Sequence, residues 1–202
     1  MIRAYRPADR DAVHDICIRT ADAGQDASGS YADPGILPQI FAHPYAYLEP
    51  DLAFVVDDGG TAVGYVLGTA DTATFARRFR DEWLPLVAER YPAPEAEPAD
   101  RGPTPDEVMA HLLHRPERMV LPDLAAYPAH LHIDLLPAYQ RAGHGRALID
   151  TFVVALRERG VPGLHLGMVT ANEPARRFYD RLGFHVIDVP DPGPLTYLGL
   201  HP

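Results

Sequence analysis

The segment Gln140-Arg141-Ala142-Gly143-His144-Gly145-Arg146 sets two glycines among basic and polar side chains, between an apolar run and an amphipathic one. Glycines at such a junction let backbone N–H groups converge on an anion, and a following helix N-terminus favours negative charge there. Arg141, His144 and Arg146 add positive charge. The ligand group this chemistry implies is a phosphate or pyrophosphate. Just upstream, His130, His132 and Asp134 alternate along the chain and so share one face of a strand. Either kind of side chain can serve as a general base or as a structural hydrogen-bonding group. A metal reading of His-x-His-x-Asp lacks a further ligand at suitable spacing, and His111 with His114 makes only a pair. No metal is expected.

The elements needed to position these residues are legible around them. Ile133 and Leu135 alternate with His132 and Asp134, Leu136 extends the run, and Pro137 ends the strand because it has no N–H to donate. From Gly145 onward, Ala147, Leu148, Thr151, Phe152, Val154, Ala155 and Leu156 fall mostly on one helical face, and Gly160 stops the helix. Two well-known glycine loops are excluded. The chain has no lysine for G-x-x-x-x-G-K-S/T, and no third glycine follows Gly143-x-Gly145 to complete G-x-G-x-x-G. About thirty residues on, Asn172 is a good N-cap, Pro174 sits in the first turn, and Ala175, Phe178 and Leu182 form an apolar face before Gly183 ends the helix.

Two strings in this region resemble the signatures of one superfamily. Gln140-x-x-Gly143-x-Gly145 resembles the acetyl-CoA pyrophosphate signature R/Q-x-x-G-x-G/A of the GNAT acetyltransferases. The segment from Asn172 to Phe184 resembles their second signature, N-x-x-A-x-x-F/L-Y-x-x-x-G-F, at every marked position. Val63–Gly68, the long excursion after it, and His130–Pro137 are further similar to bacterial acetyltransferases related to the acetyltransferase-like C-terminal domain of O-GlcNAcase. The resemblance implies an α/β fold: a central, mostly antiparallel sheet of about seven strands with helices on both faces and a helical insertion between the third and fourth strands.

Composition is consistent with that expectation. A chain of 202 residues is long enough for a substantial core and is read as a single domain over 1–202, with 72–127 an insertion within it. No apolar run approaches membrane-spanning length, and the start lacks the layout of a signal peptide, so a cytoplasmic location without membrane contact is expected. Cys17 is the one cysteine, and its apolar helical setting reads as core rather than chemistry. All 18 basic residues are arginine and the formal net charge is −10, which disfavours nucleic acid and mildly favours cationic or neutral partners.

In chain order, Met1–Tyr5 reads as a strand, and a helix from Pro7 to Thr20 follows, with Val13, Ile16 and Cys17 inward. Residues 21–32 form a loop, Asp33–Phe41 a short helix capped by Asp33, and His43–Pro50 an aromatic connection. Asp57-Asp58-Gly59-Gly60 between two apolar runs is a hairpin signal. The insertion is expected to hold a helix around Thr74–Arg90, a Pro-rich surface loop over 92–105 and a helix at Pro105–His114, with few apolar residues of its own.

The resemblance also implies roles. Ile133, Leu135 and Leu136 would run beside the pantetheine arm, with a backbone N–H near Leu135 serving the acetyl oxygen. Gln140, Arg141, Ala142, Gly143, His144, Gly145 and Arg146 would hold the pyrophosphate. Asn172, Ala175, Arg176 and Phe178 would complete the acetyl-CoA site, and Tyr179 would act as general acid at sulfur. Asp134 and His132 are the first candidates for the general base, with Glu49 and Asp33 behind them. The expected activity is transfer of an acetyl group from acetyl-CoA to a small-molecule or peptide amine by direct attack. A catalytically silent acetyl-CoA-binding module and a protein-interaction module are the competing readings. The oligomeric state stays open, a homodimer among the choices.

Overall fold

A computed structural model describes residues 1–94 and 102–202. β1 (Ile2–Ala4) leads through a 3-10 turn at Pro7–Asp9 into α1 (Arg10–Thr20). Arg3 grips Asp9 with two guanidinium nitrogens, 2.7 and 2.8 Å from the carboxylate, and Asp9 also accepts the Arg6 backbone N–H at 2.8 Å. That clamp fixes how the first helix leaves the sheet edge.

α2 (Ile36–Phe41) and α3 (His43–Leu48) follow. The expected cap Asp33 accepts from the Gly35 N–H at 2.9 Å, so α2 begins at Ile36 rather than at Asp33. The expected aromatic connection is itself the helix α3, because Tyr45, Ala46 and Leu48 are buried. Burial supplies what the propensity of a Pro- and Tyr-containing hexapeptide does not.

β2 (Ala53–Asp58) and β3 (Thr61–Thr69) form the expected hairpin, with Gly59 and Gly60 both at positive φ in its turn. The insertion opens with α4 (Thr72–Arg78), whose N-cap Asp71 accepts from Thr74 N. It passes through one π-helical stretch at Phe79–Trp83 into α5 (Leu84–Val87), so the expected helix over 74–90 starts two residues earlier and stops three earlier. α6 (Pro105–His114) begins with a capping box between Thr104 and Glu107. The expected Pro-rich loop lies partly outside the described residues. The insertion has more apolar anchors than expected: Phe75, Phe79, Trp83, Leu84 and Leu113 are buried in the same cluster as α1 to α3.

β4 (Ala129–Leu135), α7 (His144–Glu158), β5 (Leu164–Val169), α8 (Glu173–Asp180), β6 (His185–Ile187) and β7 (Leu195–Leu200) complete the chain. The described residues form a seven-stranded sheet in the order β1-β2-β3-β4-β5-β7-β6, antiparallel except between β4 and β5. Side chains alternate between its two faces. Tyr65 and Leu67 of β3 join Val13, Ile16 and Cys17 on one side. Val66 joins Leu131, Leu148, Phe152 and Leu166 on the other. Gly68 is required by packing, since a Cβ there would meet Phe152 at 2.4 Å.

Candidate active site

The two parallel strands at the centre of the sheet part company early. β4 and β5 are in register only at Ala129↔Leu164 and His130↔His165, while β4 stays paired with β3 as far as Leu135. Ala129 donates its N–H to Gly163 on the β5 side, and Leu136 donates to Val63 on the β3 side. Backbone groups alternate sides along a strand. Those of Ile133 and Leu135 therefore face the gap, where β5 no longer reaches them.

A cleft of about 700 Å³ opens at this divergence. β4 contributes Ile133, Asp134 and Leu135, and the end of β5 contributes Met168 and Val169. Asp134 belongs to the face of α1, where Thr20, Ala23 and Gly24 close the cleft. Asn172, Ala175, Phe178 and Tyr179 approach from the other face, with α7. The space thus runs through the sheet from one side to the other.

At one end the glycine loop is built as expected. Gln140 ties it to the strand by donating from Nε2 to the Leu135 carbonyl at 3.0 Å. Arg141 and Gly143 adopt φ of 62° and 86°, and Gly143 caps α7 without any side-chain bond to its first turn. The first N–H groups of α7 are left for an outside acceptor, and alternation into left-handed φ makes an anion-binding concavity. A Cβ on Gly145 would sit 3.1 Å from Cζ of Phe178 and 3.5 Å from Cδ1 of Leu135. A side chain larger than glycine's hydrogen would crowd the Phe178 ring at the helix end. These features fit a pyrophosphate.

Not every expected contact is in the cleft. Gln140, Arg141, Gly143, Gly145 and Arg146 line it, whereas Ala142, His144 and Leu136 do not. Leu136 instead packs against both core clusters. Arg176 is held by Asp180 at 2.7 Å and lies off the lining, while its neighbour Arg177, paired with Glu173 at 3.0 Å, is on it. Asn172 caps α8, its Oδ1 accepting from Ala175 N at 3.1 Å, which leaves its amide N–H groups for a ligand.

At the other end stand Asp134 and Tyr179. Tyr65, opposite Asp134 in the β3–β4 register, donates its hydroxyl to the carboxylate at 2.7 Å. Burial outweighs that bond and raises the Asp134 carboxyl to about 7. Tyr179 is 8 % exposed, and its hydroxyl has no hydrogen-bond partner among the described residues. Burial, then the charge of Asp134, holds its proton on well above the ordinary phenol range.

The other candidate bases stand elsewhere. His132 lies beside Tyr45 rather than on the cleft lining, and burial lowers it to about 4. Glu49 lies near Arg78, 3.6 Å away, and Asp33 accepts from Arg90 and Tyr91 at a separate hollow. Among the described residues no three His, Cys, Asp or Glu side chains group as a metal requires. Sequence reasoning missed Thr20, Ala23, Gly24 and the partner Tyr65. The positive φ of Ala23 and Gly24 had a local signal in Ala21-Asp22-Ala23-Gly24, but the Tyr65–Asp134 pairing had none.

A sequence model of the acetyltransferase (GNAT) family matches residues 25–184. The crystal structure of SsHAT superposes with a TM-score of 0.94 at 62% identity, covering 100% of this chain and 97% of that one. Protein O-GlcNAcase of Rattus norvegicus is 25% identical over 184 residues, which are 90% of this chain and 20% of that protein. This chain therefore spans about a fifth of that relative's length. yncA from Salmonella typhimurium, solved with its cofactor acetyl-CoA, shares the fold at a TM-score of 0.56 and 16% identity, covering 100% and 92% of the two chains.

Proposed function

Because the chain belongs to the acetyltransferase (GNAT) family, we propose that it moves the acetyl group of acetyl-CoA to a small-molecule or peptide amine by direct attack in a ternary complex. Acetyl-CoA, when bound, supplies a thioester whose carbonyl carbon an amine can attack. The loop from Gln140 to Arg146 and the first turn of α7 hold the pyrophosphate through backbone N–H groups, with Arg141 and Arg146 adding charge. The backbone groups of Ile133 and Leu135 that face the gap bind the pantetheine arm, and the Leu135 N–H steadies the acetyl oxygen as it gains charge.

Asp134 takes the proton from the amine. A carboxyl near 7 suits a base working at neutral pH, since it is substantially ionised yet still holds a proton well. Tyr179 donates its proton to the departing sulfur. The observation that carries this reading is a single cleft, at the divergence of β4 and β5, lined by Asp134 from one face and Tyr179 from the other. The cysteine Cys17 is buried and off that lining, which supports direct attack over an acyl-enzyme. No helix among the described residues is long and apolar enough to cross a membrane. With the free buried thiol of Cys17, that supports a cytoplasmic protein.

Calorimetry with acetyl-CoA, followed by a thiol-release screen over amines, tests the proposal. Saturable binding and thiol release with at least one amine are expected. Binding without release would make this a silent acetyl-CoA module, and no binding would remove the cofactor reading.

A further inference from the structure

Behind the cleft, Thr72, His130, Tyr45 and His132 form one hydrogen-bonded chain whose far end is a group that can only accept. The Thr72 hydroxyl lies 2.7 Å from the Pro128 carbonyl and 2.7 Å from Nδ1 of His130. A carbonyl oxygen has no proton to give, so the hydroxyl donates to it and its own oxygen must accept the Nδ1–H of His130. His130 is buried and neutral, burial holding its pKa well below the usual range, so Nε2 carries a lone pair.

The Tyr45 hydroxyl, 2.8 Å from that Nε2, therefore donates. The Met119 sulfur at 3.8 Å is the weaker acceptor and does not compete. With the phenolic proton used, the Tyr45 oxygen accepts the Nε2–H of His132 at 3.1 Å. His132 is also neutral, burial and then the charge of Arg118 taking it down to about 4. Its Nδ1 keeps a lone pair that no described residue engages. No buried side-chain nitrogen or oxygen among the described residues lacks a hydrogen-bond partner, so this Nδ1 is reached by solvent.

His132 stands just off the cleft lining, two residues from Asp134 on the same face of β4, a spacing of about 7 Å along a strand. We propose that the Thr72–His130–Tyr45 chain fixes His132 as its Nε2–H tautomer, and that the free Nδ1 accepts an N–H hydrogen bond from the acceptor amine while Asp134 takes its proton. The amine contact rests on the acetyl-transfer reading given above; the tautomers do not. Thr72, His130 and Tyr45 are positioning residues, and His132 touches the substrate without changing its own charge. A histidine that took up a proton here would stand as a cation beside the amine and pull the Asp134 carboxyl down from the range a base needs.

Two measurements test this. The first uses long-range ¹H–¹⁵N spectra of the histidine rings in the full chain at pH 7, with no ligand. His130 is expected to carry its proton on Nδ1 and His132 on Nε2, both neutral. Thr72→Val should reverse the pair, and Thr72→Ser should restore it. Like tautomers in the two rings, a cationic His132, or a Thr72→Val protein unchanged from wild type would overturn the chain.

The second uses initial rates with whichever amine the thiol-release screen accepts. His132→Leu should raise the KM for that amine about 3- to 10-fold, the worth of one neutral hydrogen bond, and leave kcat within about twofold. His132→Asn, which keeps an acceptor atom near Nδ1, should recover most of the loss. An equal fall in kcat, or an unchanged KM, would overturn the amine contact. Opposite tautomers in a wild-type protein that turns over no amine would overturn acetyl transfer and the amine contact with it, leaving the proton chain standing.

Discussion

Asp134→Asn should slow turnover severely and, above neutral pH, make the protein more stable. Burial lifts the carboxyl from its usual value near 4 to about 7, although the Tyr65 hydroxyl bonded to it pulls the other way. Three pKa units correspond to roughly 4 kcal/mol. The folded value lies above the unfolded one, so the folded state is favoured at low pH. That advantage is lost as pH rises from about 4, where the unfolded chain ionises, to about 7, where the folded one ionises too. Asparagine has no such dependence. Tyr65 can still donate to its amide oxygen, and Thr20, whose hydroxyl gives its proton to the Ile16 carbonyl at 2.7 Å, can accept from its amide nitrogen.

Thermal unfolding of wild type and variant between pH 4 and pH 8 is the assay. At about 2–4 °C per kcal/mol, the melting temperature of the variant relative to wild type should climb by roughly 10 °C across that range. Turnover should fall by about 10²–10⁴, and the wild-type rate should rise through a limb near pH 7. A limb there is easily credited to a histidine, but His132, at about 4, cannot produce it. A melting-temperature difference that ignores pH, or a limb near 7 that survives in Asp134→Asn, would rule out a raised Asp134 carboxyl as the base.

Tyr179→Phe keeps the buried ring and removes the proton donor, so kcat should drop about 10²–10⁴-fold where sulfur protonation limits the rate, with acetyl-CoA affinity nearly unchanged by calorimetry. Gly145→Val places branched carbons where a single Cβ already meets Phe178 at 3.1 Å; acetyl-CoA binding should weaken severely while circular dichroism still reports a folded protein. Tyr65→Phe deletes the donor to Asp134, and since a hydrogen bond to a charge is worth about 1.5–3 kcal/mol, the limb of the pH–rate profile should move up by about one to two units.

Much of this architecture was legible because its signals are local. The hairpin at Asp57–Gly60, the turn from β4 into α7 and the Asn172 cap of α8 each depend on a few adjacent residues whose backbone demands are specific. The GNAT fold, too, was legible from two motifs that sit on such junctions. What stayed hidden depends on distant partners. α3 forms because His43 to Leu48 is packed between the sheet and the insertion, a matter of burial rather than propensity. Arg176 and Arg177 are neighbours on one helix, and only the way α8 lies against the cleft turns the second toward it. Asp134 and His132 looked equivalent as bases because they alternate on one face. Tyr65 across the β3–β4 ladder and Tyr45 from α3 give them different protonation behaviour, and neither pairing leaves a trace at short range.

Initial rates of thiol release, with acetyl-CoA and an accepted amine both varied, test the proposed direct attack within one cleft. Double-reciprocal lines that intersect are expected, because in that proposal both substrates occupy the β4–β5 gap before Asp134 and Tyr179 act. Parallel lines, reporting an acetyl-enzyme formed before the amine binds, would contradict it, as would the absence of thiol release with every amine tried.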